Sequence, residues 1–286
     1  ILAGGHDNLC VQTHFGHHGW EPLSNLKLIK ELGVGWIRDD LYWGSVEKEK
    51  GKYKIPDYVW DWIKEAKRND LKILMILNGG NRLYRDKYDR EGYVNFAKFV
   101  AKEMKGYVQA IELINEPFNN FRNADKKISN APTAWNGWNP KTGKTNEWVK
   151  KYLKTMNDMA DAINEVAPGE YKIIGMGCSP PLNIRLLKLG VSKNIDGMAL
   201  HPYSYRYVPE LQPYGDTPAF LKRDGIVVGD KAGTFVSINK DLMETSAKYN
   251  GPKELWITEL GYTTYISTGP RRYGGFTEEA QANYAQ

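Results

Sequence analysis

The sequence has little cysteine and no long apolar run. Its 286 residues include two cysteines, Cys10 and Cys178, which excludes a small disulfide-stapled fold, and we expect both to be free thiols. No stretch approaches the roughly 20 consecutive apolar residues of a transmembrane helix, and no basic region leads into an apolar run at the start of the sequence. We therefore expect a soluble, mature or processed chain that does not engage a membrane.

An excess of charge of one sign is also missing. The 39 Lys and Arg residues nearly balance the 34 Asp and Glu residues, which leaves a net charge of +5. Basic and acidic side chains are interspersed in segments such as "IKEAKRNDLK", as is typical of solvated helix faces, so we expect no nucleic-acid partner. No G-x-G-x-x-G follows the first predicted strand, and a dinucleotide-binding sheet therefore has no support.

What the sequence does contain is an alternation of short apolar segments with amphipathic ones. The clearest helix places Val149, Tyr152, Met156, Met159 and Ile163 on one face. Strand-then-helix units predict parallel strands with crossover helices, in a doubly wound sheet or a (β/α)8 barrel. The seven predicted strands are VQTHFG, VGWIRDDLYW, KILMILNG, QAIELINEP, KIIGMGCS, IDGMALHPY and ELWITELGY.

Polar residues at the strand ends favour the barrel. In a barrel the carboxyl ends of all strands meet at one mouth, where catalytic residues lie, whereas an open sheet would spread them along an edge. We see no linker or internal repeat, so the prediction is a single α/β domain over residues 1–286, a (β/α)8 TIM barrel. The polar strand-end residues are His14, Arg38, Asn78, Asn115, Glu116, His201, Tyr203 and Glu259.

The predicted barrel is one strand short. After the seventh strand the sequence supplies one helix start, at Thr277, and no further apolar segment. We expect the natural chain to continue past Gln286, so that this domain is C-terminally truncated and lacks strand 8 and helix 8. The alternative is that another segment, such as the N-terminal "ILAGG" or a neighbouring chain, fills the gap.

Two glutamates, Glu116 and Glu259, end the fourth and seventh predicted strands. A facing pair of carboxyl groups is what glycosidic cleavage requires, because one protonates the leaving oxygen while the other meets the positive charge that develops at the sugar carbon. Asn115 is placed to bond a sugar hydroxyl beside Glu116. His201 and Tyr203 are placed to orient or polarise the carboxylates.

Four motifs stand in order at the strand ends: "GVGWIRDDLYWGSVEKEKGKY", "INEP", "HPY" and "WITELGY". Through them the sequence resembles the clan of retaining (β/α)8-barrel glycoside hydrolases, nearest to families 39 and 5. The resemblance implies that Glu116 is the acid/base and Glu259 the nucleophile. It also implies that four residues support the sugar at subsite −1, namely Arg38, Asn115, His201 and Tyr203.

Asn78, at the end of the third predicted strand, is a candidate for substrate binding. Other candidates keep two interpretations each. His14 either lines the substrate site or is a satisfied loop histidine. Trp43 and Trp138 are candidate sugar platforms, with core or loop packing as the alternative. Arg38 either pairs structurally with Asp39, Asp40 or Glu47, or lies beside Glu259, and both can hold together.

A metal site is not predicted. His17 and His18 are adjacent, and two adjacent histidines cannot easily face one ion in an extended strand. Because proton transfer and a covalent intermediate supply the chemistry, we expect neither a metal nor a cofactor.

The sequence thus predicts a retaining glycoside hydrolase that acts on a poly- or oligosaccharide. We expect a monomer that is secreted or extracellular, with a carbohydrate as its partner. The carboxyl groups of Glu116 and Glu259 should lie about 5–5.5 Å apart, the spacing for direct attack. The alternative is a carbohydrate-binding or scaffold protein that keeps the barrel but does not turn over a substrate. Its only support in the sequence is the missing eighth strand.

Overall fold

A computed structural model describes residues 6–16, 21–122, 136–203, 225, 235–265 and 275–284. Strands and helices alternate as predicted. The strands are β1 (His6–Gln12), β2 (Val34–Tyr42), β3 (Lys72–Asn78), β4 (Ala110–Leu113), β5 (Lys172–Cys178), β6 (Gly197–Leu200) and β7 (Glu254–Ile257). The helices are α1 (Pro22–Glu31), α2 (Asp57–Arg68), α3 (Arg90–Glu103), α4 (Glu147–Val166), α5 (Pro180–Leu189), α6 (Phe235–Tyr249) and α7 (Glu278–Tyr284).

Local capping signals explain where helices α1 and α3 begin. The Glu21 carboxylate accepts backbone N–H bonds from Leu23 and Ser24 at 3.0 and 2.9 Å, and Pro22 occupies the first turn of α1. Asp89 accepts from the backbone N–H of Gly92 at 2.9 Å and starts α3. Each carboxylate satisfies N–H groups that have no partner within the helix.

The seven strands form one parallel sheet in sequential order from β1 to β7. Residues of neighbouring strands stand in register, as Arg38 does with Leu74 and Leu74 does with Ala110. Sequential parallel order requires a crossover on every connection, which the intervening helices supply. The predicted βα architecture is therefore confirmed.

Contacts between β2 and β7 show that the sheet curls. Neighbouring strands lie about 4.8 Å apart, so the five steps from β2 to β7 would span about 24 Å in a flat sheet. Instead, the rings of Trp36 and Trp256 meet edge to face with centroids 5.6 Å apart. Arg38 Nη1 also lies 2.9 Å from Glu259 Oε1. The sheet is a barrel wall of seven strands, and an eighth is absent from the described residues.

The core has two parts. The larger part lies between the helices and the outer face of the sheet, and it includes Trp62, Phe96 and Tyr152. The smaller part fills the barrel interior. Its space is limited at Gly197, where a Cβ would approach Trp256 to 2.6 Å, so only glycine lets that indole enter. The interior residues are Leu74, Ala110, Ile174, Cys178 and Ala199, flanked by Trp36 and Trp256.

The first strand differs from its prediction. It covers His6–Gln12, whereas the sequence placed it over Val11–Gly16. The reason is that Asp39 draws the following residues into a turn, because its carboxylate accepts from the backbone N–H groups of Phe15 at 2.6 Å and Gly16 at 3.0 Å. Phe15 in this turn packs against Trp62 of α2, with ring centroids 5.9 Å apart, and does not extend the strand.

Several short elements were not predicted. They are a helical turn at Trp43–Val46, a π-helix at Phe118–Arg122, a hairpin of Trp138–Asn139 with Lys144–Thr145, and helix α5. Cys10 and Cys178 are both free thiols, as expected. Among the residues described above, no helix combines the length and the apolar character needed to cross a bilayer.

Candidate active site

The C-terminal ends of the strands bring the predicted site residues together. We call this region the mouth and define it by six residues: Arg38, Asn115, Glu116, His201, Tyr203 and Glu259. They come from β2 or from the segments that follow β4, β6 and β7. Contacts link all six into one network.

Arg38 is the centre of this network. A guanidinium has five N–H groups, and all five are used. Nε donates to Glu112 Oε2 at 2.7 Å, and Nη2 donates to Glu112 Oε1 at 2.9 Å and to Asn115 Oδ1 at 3.0 Å. Nη1 donates to Glu259 Oε1 at 2.9 Å and also to the side chain of Gln12. One buried cation therefore joins β1, β2, β4 and the end of β7.

Glu112 also belongs to the network around Arg38, but it was not predicted from the sequence. Its side chain is 1% exposed and faces the 2% exposed side chain of Arg38 as a bidentate pair. Burial opposes the charge of Arg38, but Glu112 and then Glu259 outweigh it, so the pKa of Arg38 is raised above its usual value. A charged residue inside an apolar strand, "AIEL", was the available signal.

Of the partners considered for Arg38, the structure selects Glu259. Asp39 instead holds the turn after β1, and Glu47 accepts from Trp43 Nε1 at 2.6 Å and from the Tyr84 hydroxyl at 2.8 Å. Asp40 accepts from Asn78 Nδ2 at 2.8 Å, and burial raises the pKa of Asp40.

Glu259 is held from two sides. Arg38 donates to its Oε1, and the Tyr203 hydroxyl donates to its Oε2 at 2.9 Å. Burial and the adjacent Glu259 charge raise the pKa of Tyr203, so its phenol stays protonated and remains a donor at neutral pH. Both contacts favour an anionic Glu259 in a fixed orientation.

Glu116 has a different set of partners. His201 Nδ1 lies 3.3 Å from its Oε1, and Asn119 Nδ2 donates to its Oε2 at 2.6 Å. A carboxylate oxygen of Glu116, one of Glu259 and a ring nitrogen of His201 lie within 4.8 Å of one another. The two carboxylates therefore lie close together at the mouth, with His201 beside both.

His201 lies between the two glutamates and beneath them. Its Nε2 is 3.0 Å from Thr258 Oγ1, a contact that the sequence did not suggest. Burial works against the charged ring, but Cys178, Glu116 and Glu259 outweigh it and raise the pKa of His201 to about 10. Its Nδ1 also lies 3.5 Å from Glu259 Oε2, so one ring nitrogen faces both carboxylates.

The backbone at the end of β4 is strained. Ile114 has φ 65° and Glu116 has φ 40°, in the left-handed region that β-branched and other side chains avoid. Such strain is typical of functional sites, where the surrounding structure holds it in place. Here it turns the chain sharply after β4 and aims Glu116 across the mouth.

The remaining candidates divide. Asn78, at the end of β3, bonds Asp40 and accepts from Asn120 Nδ2 at 3.4 Å. His14 follows β1 and is partly buried. For both, a role in substrate binding stays a prediction.

The prediction that Trp43 is a sugar platform is wrong. Its ring is fully buried and packs against Tyr84 and Tyr93, with centroids 4.8 Å away in both cases. Gly92 makes room for it, since a Cβ there would lie 2.4 Å from the indole. Trp43 is therefore a core residue.

Trp138 remains a candidate. It is partly exposed in the hairpin, and the guanidinium of Arg185 lies 4.9 Å from its ring centroid. Its role as a sugar platform stays a prediction.

Metal-ligand atoms occur close together at two places in the described chain. One is the group of Glu116, His201 and Glu259, and the other is Glu112, Cys178 and His201. Arg38 contacts both groups, through Glu259 and Glu112, and its charge opposes a second cation there. His17 and His18 lie outside the described residues.

No protein-family model matches the sequence, and no curated protein matches it. Among solved structures, the chain is similar to a family 39 glycoside hydrolase from the gut symbiont Bacteroides cellulosilyticus WH2, with a TM-score of 0.70 and 21% identity over 97% of this chain and 52% of that chain. The fold is that of the (β/α)8 glycoside hydrolases.

Two further barrels support this. The endoglucanase Cel5A from Thermotoga maritima gives a TM-score of 0.53 at 17% identity, over 91% of this chain and 75% of that one. A β-glucosidase from the same organism gives a TM-score of 0.56 at 13% identity, over 92% of this chain and 70% of that one. The expected likeness to families 39 and 5 is confirmed at the level of the fold. The chain spans about half the length of the family 39 structure.

Proposed function

We propose that the protein is a retaining glycoside hydrolase that cleaves the O-glycosidic bonds of a poly- or oligosaccharide. The observation that carries this proposal is the spacing of the two mouth carboxylates, whose facing oxygens lie within 4.8 Å. Retaining enzymes hold their carboxyl groups about 5–5.5 Å apart, whereas inverting enzymes leave about 6.5–9.5 Å for a water molecule. The fold shared with glycoside hydrolases agrees with it.

The different partners of the two carboxylates support their roles. Glu259 bonds a guanidinium and a phenol, which stabilise an anion ready to attack. Glu116 bonds no guanidinium in the described residues; its partners are His201 and Asn119. We assign Glu259 as the nucleophile and Glu116 as the acid/base.

The reaction then proceeds by double displacement. Glu259 attacks the anomeric carbon while Glu116 gives its proton to the leaving oxygen, so that a covalent glycosyl ester forms. Glu116 next takes a proton from water, which attacks the same carbon and releases Glu259. Two inversions leave the configuration of the anomeric carbon unchanged.

A panel of aryl glycosides tests this function. We expect turnover of at least one member, with the first-formed anomer in NMR having the configuration of the substrate. Glu116→Ala should still react with good leaving groups in the first step, and azide should then accelerate it. Azide rescue of Glu259→Ala alone would reverse the two roles, and an inverted first product would contradict the retaining mechanism.

Oligosaccharide binding without turnover of any panel member would instead favour the non-catalytic alternative. Secretion and a monomeric state stay predictions, which a cell-fractionation assay and sedimentation would check.

A further inference from the structure

Glu112 is the one carboxylate of the network that a substrate does not need to touch. It lies within β4, below the mouth, with its side chain 1% exposed. Its two oxygens occupy Nε and one N–H of Nη2 of Arg38. The other Nη2 N–H and one N–H of Nη1 then reach Asn115 and Glu259.

We propose that Glu112 is a positioning residue for the nucleophile, an inference that rests on the proposed function of the mouth. It acts through Arg38 in two ways. It fixes the guanidinium plane so that Nη1 meets Glu259, and it takes up part of the positive charge that would otherwise bind Glu259 more tightly.

Geometry explains the first effect. A guanidinium and a carboxylate prefer a bidentate pair, in which two parallel N–H groups meet two oxygens. Because Glu112 already holds that arrangement, Glu259 receives a single N–H from Arg38, and its second oxygen is left to Tyr203. Without Glu112, Arg38 is free to turn its fork towards Glu259, which would misplace the attacking oxygen.

Charge explains the second effect. Among the described residues, the groups that face Glu259 are Arg38 from β2, Glu116 after β4, and His201 and Tyr203 after β6. Charged or titratable groups that act on Arg38 or Glu112 also include Cys10, Asp40, Cys178 and Tyr152. Removing the Glu112 charge leaves more of the Arg38 charge to bind Glu259, which weakens that carboxylate as a nucleophile.

The test compares Glu112→Gln, which removes the charge, with Glu112→Asp, which keeps the charge and shortens the side chain. The matched control is Glu47→Gln, a fully buried glutamate that bonds Trp43 and Tyr84 and lies outside the network. For each variant, kcat, KM and the pH profile of kcat/KM are measured with an activated aryl glycoside, alongside thermal unfolding.

For Glu112→Gln we expect kcat to fall about 100-fold, with KM within about threefold, because a small misplacement of a reacting group has that size of effect. The acid limb of the profile should move to lower pH, because the charge that Arg38 presents to the nucleophile is no longer shared with Glu112. Glu112→Asp should lose about tenfold in kcat and keep the acid limb. Glu47→Gln should keep the wild-type kcat and the wild-type acid limb.

A Glu112→Gln enzyme with the wild-type kcat and acid limb would overturn the inference. If that variant does not fold, the Glu112→Asp variant becomes the test, and a wild-type kcat in that variant would also overturn the inference. Wild-type protein without any turnover would refute the proposed function. In that case the Arg38 Nε–H signal in NMR still tests the positioning: protection from exchange that is lost in Glu112→Gln supports it, and unchanged protection refutes it.

Discussion

The two ends of the barrel treat the same kinds of side chain in opposite ways. At the mouth, Arg38 and Glu112 form an ion pair with side chains 2% and 1% exposed. At the opposite end, Lys172 and Glu254 form an ion pair of similar length, 2.6 Å, with side chains 51% and 47% exposed. The first pair is enclosed by protein, and the second is surrounded by water.

The partners differ as well as the exposure. Besides the Lys172–Glu254 pair, two polar side chains at the N-terminal end bond the backbone: Asp196 accepts from the N–H of Ile173 at 2.8 Å, and Glu170 accepts from that of Gly106 at 3.0 Å. These two residues line a cleft of about 420 Å³. At the mouth the side chains bond one another. The polar groups at the N-terminal end therefore stabilise the fold, whereas those at the mouth form one network of side chains.

Burial of an ion pair is weak evidence for stability, because removing two charges from water costs several kcal/mol per ion. A chain that needed only a stable barrel would be served as well by apolar residues at these positions. The difference between the two ends thus points to function at the mouth.

The strongest test of the comparison uses two glutamates on either side of one strand, β7. Glu259→Gln should lower kcat on aryl glycosides by at least about 10⁴-fold, since it removes the nucleophile. Glu254→Gln, at the exposed end, should leave kcat within about twofold. A Glu259→Gln enzyme that retains a tenth of the wild-type rate would contradict the assignment.

The next largest effect should be on stability. Arg38→Met leaves Glu112 buried without its cation, so the free energy of unfolding should fall by about 3–5 kcal/mol. Denaturation in urea measures this. A loss below about 1 kcal/mol would mean that water reaches Glu112 and that the enclosure described above is wrong.

A smaller effect should appear as a pH dependence. The pKa of His201 is raised from 6.5 to about 10 in the folded state, so its contribution to stability is full below about pH 6.5. It is lost progressively as pH rises towards 10. His201→Gln should flatten the decline in melting temperature over this range. Thr258→Val, which spares the charged partners of His201, should retain it.

The smallest effect belongs to the exposed pair. Lys172→Met should change the free energy of unfolding by only about 0.5 kcal/mol, because solvent screens the charges. Burial tends to raise the pKa of the Glu254 carboxyl, but the hydrogen bonds from Lys172 and Trp256 outweigh burial and lower that pKa. The contribution of Glu254 to the stability of the fold is therefore present above its usual pKa of 4.5 and is lost as the pH falls below that value. High salt should erase the difference, and a salt-insensitive loss above about 2 kcal/mol would show that the two ends are alike.

Much of the fold and of the mouth could be predicted because both follow from periodicity. Parallel strands have a direction, so residues that end strands in the sequence must meet in space. That rule brought Glu116 and Glu259 together. Arg38 lies in the middle of β2, and its contact with Glu259 was one of two open interpretations that the structure decided. The likeness in fold to glycoside hydrolases agrees with it.

The rest depended on contacts that no local pattern encodes. Trp43 follows a strand as the mouth residues do, yet the helical turn at Trp43–Val46 directs its ring into the space above Gly92. Glu112 stands in mid-strand rather than at an end, so attention to strand ends passed over it. Asn119 reaches Glu116 only because the chain enters a π-helix at Phe118–Arg122.

The distances along the chain between the partners of Arg38 have a consequence for synthesis on the ribosome. Glu112 follows Arg38 by 74 residues and Glu259 by 221. At about 5–20 residues per second, the nucleophile leaves the ribosome roughly 11–44 s after the arginine, whereas Glu112 follows within about 4–15 s. We expect the nascent chain to pair Arg38 with Glu112 first, so that β7 and Glu259 meet an ion pair that has already formed.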